Sequence, residues 1–97
     1  MKTIRFFPEA QAEYDDALVA SPDAGEFQRV IDKALQDITT GLMTHPRVRK
    51  TPARLCGFST LPYSIVYIET DAEIGVVALQ HNRRRPNYWK SRLRPRP

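Results

Sequence analysis

The sequence predicts an α+β fold: an N-terminal strand, a helical hairpin packed on one face of a small twisted antiparallel sheet, and a short C-terminal turn or helix. Three observations predict it. Ala24, Phe27, Val30, Ile31, Ala34, Leu35, Ile38 and Leu42 recur at helical spacing, with Gln28, Arg29, Asp32, Lys33, Gln36 and Asp37 on the opposite side. Residues 63–68 and 74–79 are runs rich in β-branched side chains on either side of the short acidic stretch Glu69-Thr70-Asp71-Ala72-Glu73, the pattern of an antiparallel hairpin. Residues 3–7 form a third such run, ended by Pro8.

The elements follow in order. Residues 3–7 open the chain as a short strand. Proline suits the first turn of a helix, where its missing N–H costs nothing, so a helix starts at Pro8. Ala10, Tyr14, Ala17 and Leu18 make its apolar stripe, and Glu9 lies near its positive N-terminal end. This helix stops near Ala20. Ser21-Pro22-Asp23 breaks the chain and restarts it. Asp23 can cap the next helix, with Glu26 three residues on; Ser21, with Pro22 in the first turn, gives a second register. Gly41 stops the second helix. Residues 43–52 are a loop with two prolines and a group of bases. A strand follows over 53–58, weakened by Gly57. Residues 74–79 are apolar at almost every position, as in a strand buried on both faces.

The bulk numbers bound the function. Ninety-seven residues make one domain, set at 1–92, with a basic tail at 93–97 that lacks periodicity and is expected to be mobile. No apolar run nears the ~20 residues of a membrane helix. Acids rather than an apolar core follow Met1-Lys2-Thr3-Ile4-Arg5, so the chain is expected to be cytoplasmic. Cys56 is the single cysteine, and His45 and His81 are the only histidines; the sequence gives no reason to expect a disulfide, a metal or another cofactor. Charge is divided unevenly. Residues 1–46 hold four bases and eight acids, residues 47–97 eleven bases and three acids. A half that basic attracts polyanions, either nucleic acid or an acidic protein segment.

The basic half begins its last third with Ile74-Gly75-Val76-Val77-Ala78-Leu79, turns polar at Gln80-His81-Asn82, and continues Arg83-Arg84-Arg85-Pro86-Asn87-Tyr88-Trp89. The pattern His81-x-Arg83-Arg84-x-Pro86-x-Tyr88-Trp89 resembles the C-terminal signature of the RelE/ParE superfamily, the toxins of bacterial type II toxin–antitoxin pairs. Phe7-Pro8-Glu9-Ala10 with Glu13-Tyr14 resembles its first helix, the stretch through Phe27, Val30, Ala34 and Ile38 its second, and Leu61-Pro62-Tyr63-Ser64-Ile65-Val66-Tyr67 its central strand. The four motifs occur in family order over residues 4–92. The resemblance implies a helical hairpin on a sheet and a cognate antitoxin, with a toxin–antitoxin hetero-oligomer as its complex. It also implies one of two activities. ParE-like members bind DNA gyrase and trap its cleaved-DNA state without chemistry. RelE-like members cut mRNA in the ribosomal A site, where a proton must be removed, another donated, and a more negative transition state neutralised. RelE-type nucleases place an arginine after the central-strand tyrosine, where this chain has Ser64, and carry a lysine-rich loop where it has Arg49 and Lys50. The ParE-like branch is therefore the preferred reading, with a basic nucleic-acid-binding module as a third.

The candidate binding residues, for target or antitoxin, are Arg83, Arg84, Arg85, Tyr88, Trp89, Arg49, Lys50 and Arg54. Arginine forks grip phosphates and carboxylates in bidentate fashion, although a solvated run that protects a sheet edge has the same composition. For a nuclease the set is His81, Arg83, Arg84 and Tyr88. His81 is either a general base or a strand-end histidine bonded to a neighbour. Tyr88 and Trp89 either stack on a partner or pack over the sheet. Arg47, Arg49, Lys50 and Arg54 extend the Arg83 surface if the first strand after the helices lies beside the last.

Overall fold

The computed structural model describes residues 2–94. The order is β1 (Thr3–Phe6), α1 (Pro8–Ala20), α2 (Ala24–Thr39), β2 (Arg54–Gly57), β3 (Tyr63–Glu69), β4 (Glu73–His81) and a 3₁₀ helix, Lys90–Leu93. The strands form one sheet in the order β1-β4-β3-β2. Strands β2, β3 and β4 are antiparallel, as expected; β1 runs parallel to β4, so the sheet is mixed rather than antiparallel throughout. The reason is geometric. The two helices carry the chain across and back, and the opening strand has no tight turn to its neighbour that would force an antiparallel pairing.

The sheet is covered on both faces. On one, α1 and α2 pack Ala10, Ala17, Phe27, Ile31, Leu35 and Ile38 against Ile65, Tyr67, Ile74, Val76 and Leu79. On the other, Val66, Val77, Ala78 and Ala53 surround Trp89, with Phe7, Val48, Ile68, Tyr88 and Leu93 at the margin. The register shifts between Val66 and Tyr67, which oppose Ala78 and Val76. Val77 is the extra residue of this bulge, so Val77 and Ala78 both join the second cluster. Gly75 leaves space on that face: a methyl group there would meet Ile68 Cγ1 at 3.1 Å and Phe7 Cε1 at 3.4 Å.

The start of α2 is settled by a side chain. Asp23 caps α2, its Oδ1 accepting from Glu26 N–H at 3.0 Å, so the Asp23 register is the one adopted. Gly41, at φ 76°, turns the chain away after α2. Leu42, assigned to the helix stripe from its spacing, falls beyond that turn and is 70% exposed. Leu93, placed in the tail from sequence, belongs to the 3₁₀ helix and packs on the second cluster; Pro95, Arg96 and Pro97 lie outside the described residues. Among the described residues no helix is long and apolar enough to cross a membrane.

The fold's second face depends on one side chain more than any other. Trp89 is 1% exposed, and Trp89→Ala is expected to cost about 4 kcal/mol. Urea unfolding measures it, and a loss within experimental error would show that the indole is not a core residue.

Candidate functional site

The charged end of the molecule is built around Glu13. Ala10, Glu13 and Ala17 fall on one face of α1, and the two alanines are buried against the sheet, so the carboxylate is carried inward with them. It meets the edge of β4. Strand β1 stops at Phe6 opposite Val76, so the second half of β4 has no strand on that side. Exposed edge groups of this kind need partners. Leu79 N–H donates to Glu13 Oε1 at 3.2 Å, and the Val77 carbonyl accepts from Arg92 Nη1 at 3.0 Å. The two side chains join each other: Arg92 Nη1 donates to Glu13 Oε1 at 2.8 Å and Nη2 to Oε2 at 3.1 Å. A carboxylate and a guanidinium thus stand where the next strand's backbone would be.

Two further groups close on the same carboxylate. Tyr88 O–H donates to Glu13 Oε2 at 2.6 Å, and Arg84 Nη1 donates to it at 2.9 Å. The Arg84 guanidinium lies over the Tyr88 ring, 3.9 Å from its centroid, with that of Arg92 at 5.1 Å. Side-chain exposure separates the two arginines: 11% for Arg92 and 52% for Arg84, against 13% for Glu13. Arg92 is the structural partner, while Arg84 is a half-exposed second cation on the rim. Burial by itself would raise the Glu13 pKa. The bonds from Arg92 and Tyr88, the charge of Arg92 and the Leu79 N–H outweigh it and hold the carboxyl below its ordinary value. Burial, then the bond to Glu13 and its charge, push the Tyr88 phenol up to about 12.

The predicted site residues divide accordingly. Arg83 and Arg85 are exposed and form no ion pair among the described residues. Arg84 and Tyr88 are occupied by Glu13. Trp89 is enclosed, with its Nε1–H donating to Gln80 Oε1 at 2.9 Å; of its two readings, packing over the sheet is the one adopted and a ring offered to a partner is not, the chain passing through a left-handed turn at Asn87, φ 64°, just before it. His81 ends β4, opposite Tyr63, whose ring meets it edge-on at 5.0 Å between centroids. Its Nδ1 accepts from the Arg83 N–H at 3.0 Å, which places a neutral ring's proton on Nε2. His81, Arg84, Glu13, Tyr63, Leu79 and Asp16 line a shallow cleft of ≈ 230 Å³ between α1 and the strand end.

Arg49, Lys50 and Arg54 do not extend this surface. Strand β3 lies between β2 and β4, and Arg54 pairs with Tyr67 whereas His81 pairs with Tyr63. Four residues of strand separate the two rows, about 13 Å. Arg49 and Lys50 are exposed in the loop before β2. The two basic groups therefore occupy opposite ends of the sheet. Glu13 and Arg92 were missed as site residues. The signal for Glu13 was its place between Ala10 and Ala17 on the buried stripe. Arg92 has no such signal, since its neighbours read as more basic tail. Among the described residues no three His, Cys, Asp or Glu side chains come together as a metal site.

Two outcomes follow for stability. Glu13→Gln leaves Arg92 without its counter-charge and is expected to cost about 3 kcal/mol near neutral pH, while Arg84→Ala, half exposed to screening water, costs less than about 1 kcal/mol. The Glu13 pKa is lower folded than unfolded, so its contribution is complete above the ordinary value of 4.5 and is lost as the pH falls below it. The gap between wild type and Glu13→Gln in denaturant midpoint should therefore narrow steadily as the pH is lowered below 4.5. A gap that persists in acid would mean that charge is not what Glu13 supplies. Tyr88 runs the other way: its contribution is complete below its ordinary value of 10.0 and is lost as the pH rises through about 12.

No family model and no curated protein matches the chain. Solved structures do. The chain superposes on one from the chromosomal ParDE toxin–antitoxin system of P. aeruginosa with a TM-score of 0.58 and 12% identity, covering 84% of this chain and 96% of that one. It superposes on a copper-bound mutant toxin from Helicobacter pylori with a TM-score of 0.66 and 17% identity, covering 84% of this chain and 94% of that one. At such identities the likeness is one of architecture: two helices on a four-stranded mixed sheet, with nearly the whole of each neighbour accounted for. The chain shares its fold with these two structures.

Proposed function

We propose that this chain is the toxin of a type II toxin–antitoxin pair, of the ParE-like kind, which arrests growth by binding a macromolecular target and is neutralised by a cognate antitoxin. The target proposed is DNA gyrase. The fold shared with a ParDE chain supports the toxin reading, as do the four motifs in family order. One observation favours binding over RNA cleavage: Glu13 occupies Tyr88 and Arg84, two of the four groups a nuclease would use here. A phenol pushed up to about 12 and already donating to a carboxylate is a poor proton donor to a leaving group. His81 accepts the Arg83 N–H at Nδ1 and, among the described residues, has no carboxylate bonded to it, so the lone pair that a base would use is already engaged.

Arg83 and Arg85 remain outward at the end of a rigid strand, free to pair with carboxylates of the target or of an acidic antitoxin segment. Arg84 is a poor probe of that surface. Reversing its charge sets a second carboxylate against Glu13 and disturbs the fold directly.

Purified protein is expected to inhibit gyrase supercoiling. The double substitution Arg83→Ala with Arg85→Ala should weaken inhibition at least tenfold, roughly the effect of one lost charged pair, while changing stability by no more than about 0.5 kcal/mol. Ribosome-dependent mRNA cleavage with supercoiling untouched would replace this reading by the RelE-like one. Absence of growth arrest on expression would remove the toxin assignment altogether.

A further inference from the structure

The loop between α2 and β2 ends in a small β arm. Val48 N–H donates to the Ala53 carbonyl at 2.8 Å, and Leu55 N–H to the Pro46 carbonyl at 3.3 Å. These bonds bracket an isolated antiparallel bridge between Arg47 and Arg54. The bracketed pair is of the non-hydrogen-bonded kind, in which Cα atoms stand only about 4.5 Å apart and the side chains are closest. Like charges directly opposite one another destabilise a sheet. Neither arginine forms an ion pair among the described residues.

The two arginines are also braced. At the tip of the arm, Thr51 N–H and hydroxyl both donate to the Val48 carbonyl, at 3.0 and 2.9 Å, and Ala53 N–H donates to Thr51 Oγ1 at 3.1 Å. Val48 and Ala53 anchor the arm in the second core cluster. Arg54 Nη1 donates to the His45 carbonyl at 2.6 Å, and His45 Nδ1 lies 2.9 Å from the Tyr67 hydroxyl. That bond uses one of the five donors a guanidinium carries. Both arginines, with Thr44, line a hollow of ≈ 380 Å³. Two carboxylates also line it. Glu69 is held by Lys2 at 2.5 Å, whereas Asp71 forms no ion pair among the described residues.

We propose that Arg47 and Arg54 form a phosphate-binding site. A phosphate offers several acceptor oxygens, enough to take a guanidinium fork from each side and turn the cross-strand repulsion into a shared grip. The Arg54 guanidinium, already held by the His45 carbonyl, loses less entropy on binding than a free one, and the arm fixes where the Arg47 side chain begins. The phosphate could be a free ion or part of a nucleic-acid strand. The site lies at the end of the sheet away from His81 and Arg83, and it stands whether or not the chain is a toxin.

The test is a titration of the intact protein, followed by the Nε–H signals of its arginines in NMR spectra. Inorganic phosphate and a short oligothymidylate are the two probes. Saturable shifts of Arg47 and Arg54 are expected with at least one. Equal affinity per phosphate group for the two probes identifies the free ion as sufficient ligand; tighter binding of the oligonucleotide identifies a strand. Arg47→Ala should weaken binding about tenfold, and Asp71→Asn should tighten it, each with core amide signals unchanged. The proposal is overturned if neither probe moves the two signals, if Arg47→Ala binds as well as wild type, or if the shifts are confined to Arg83 and Arg85. Arg47 is exposed and braced through its backbone, and Arg47→Lys, which keeps charge but loses the fork, provides a further variant expected to bind more weakly than wild type and more tightly than Arg47→Ala.

Discussion

Beyond Val76 the fourth strand has no strand beside it on one edge, and that constraint organises the charged end of the molecule. An unpaired edge in a partly buried position must be satisfied by something. Here a helix carboxylate takes the Leu79 N–H and an arginine takes the Val77 carbonyl, and the two bind each other. Val77, whose carbonyl Arg92 takes, is also the extra residue of the bulge and has no partner of its own in β3. One ion pair therefore joins α1 on one face of the sheet to the C-terminal segment on the other. It also fixes where Arg84, Tyr88 and Trp89 can go.

Part of the chain's charge is consequently spent inside it. The acidic first half and basic second half meet at Glu13 with Arg84 and Arg92, and at Lys2 with Glu69. A count of charges overstates what is offered outward. Two sets of outward cations lie at opposite ends of the sheet: Arg83 and Arg85 after β4, and the arm with Arg47, Arg49 and Lys50 before β2. Strand order keeps them apart, since β3 separates the strands that carry them. Two separated cationic ends can engage two partners, or two parts of one, where a single merged patch could not.

Neither set is loose. The first follows the last residue of a nine-residue strand, and the second is closed by hydrogen bonds from Thr51 and anchored through Val48 and Ala53. Placement on rigid elements limits the entropy lost when a partner binds. It also means that substitutions in the anchors and in the cations have separable effects, one on folding and the other on recognition.

The class of fold, the two helices, the β3-β4 hairpin and the outward run at Arg83 and Arg85 were legible in the order of the residues. Those features are local. Helical and strand periodicities, a proline at a helix start and a glycine at a helix stop act within a few residues, so they are written in the order of the chain. It took the folded sheet to show that β1 lies parallel to β4, that the arginines at 47 and 54 lie at the end away from His81, that Trp89 is core, and that Glu13 holds Arg92 across 79 positions. Each of these depends on which groups are left unpaired once the strands have chosen their neighbours. That is a property of the assembled sheet, and no short stretch of residues contains it.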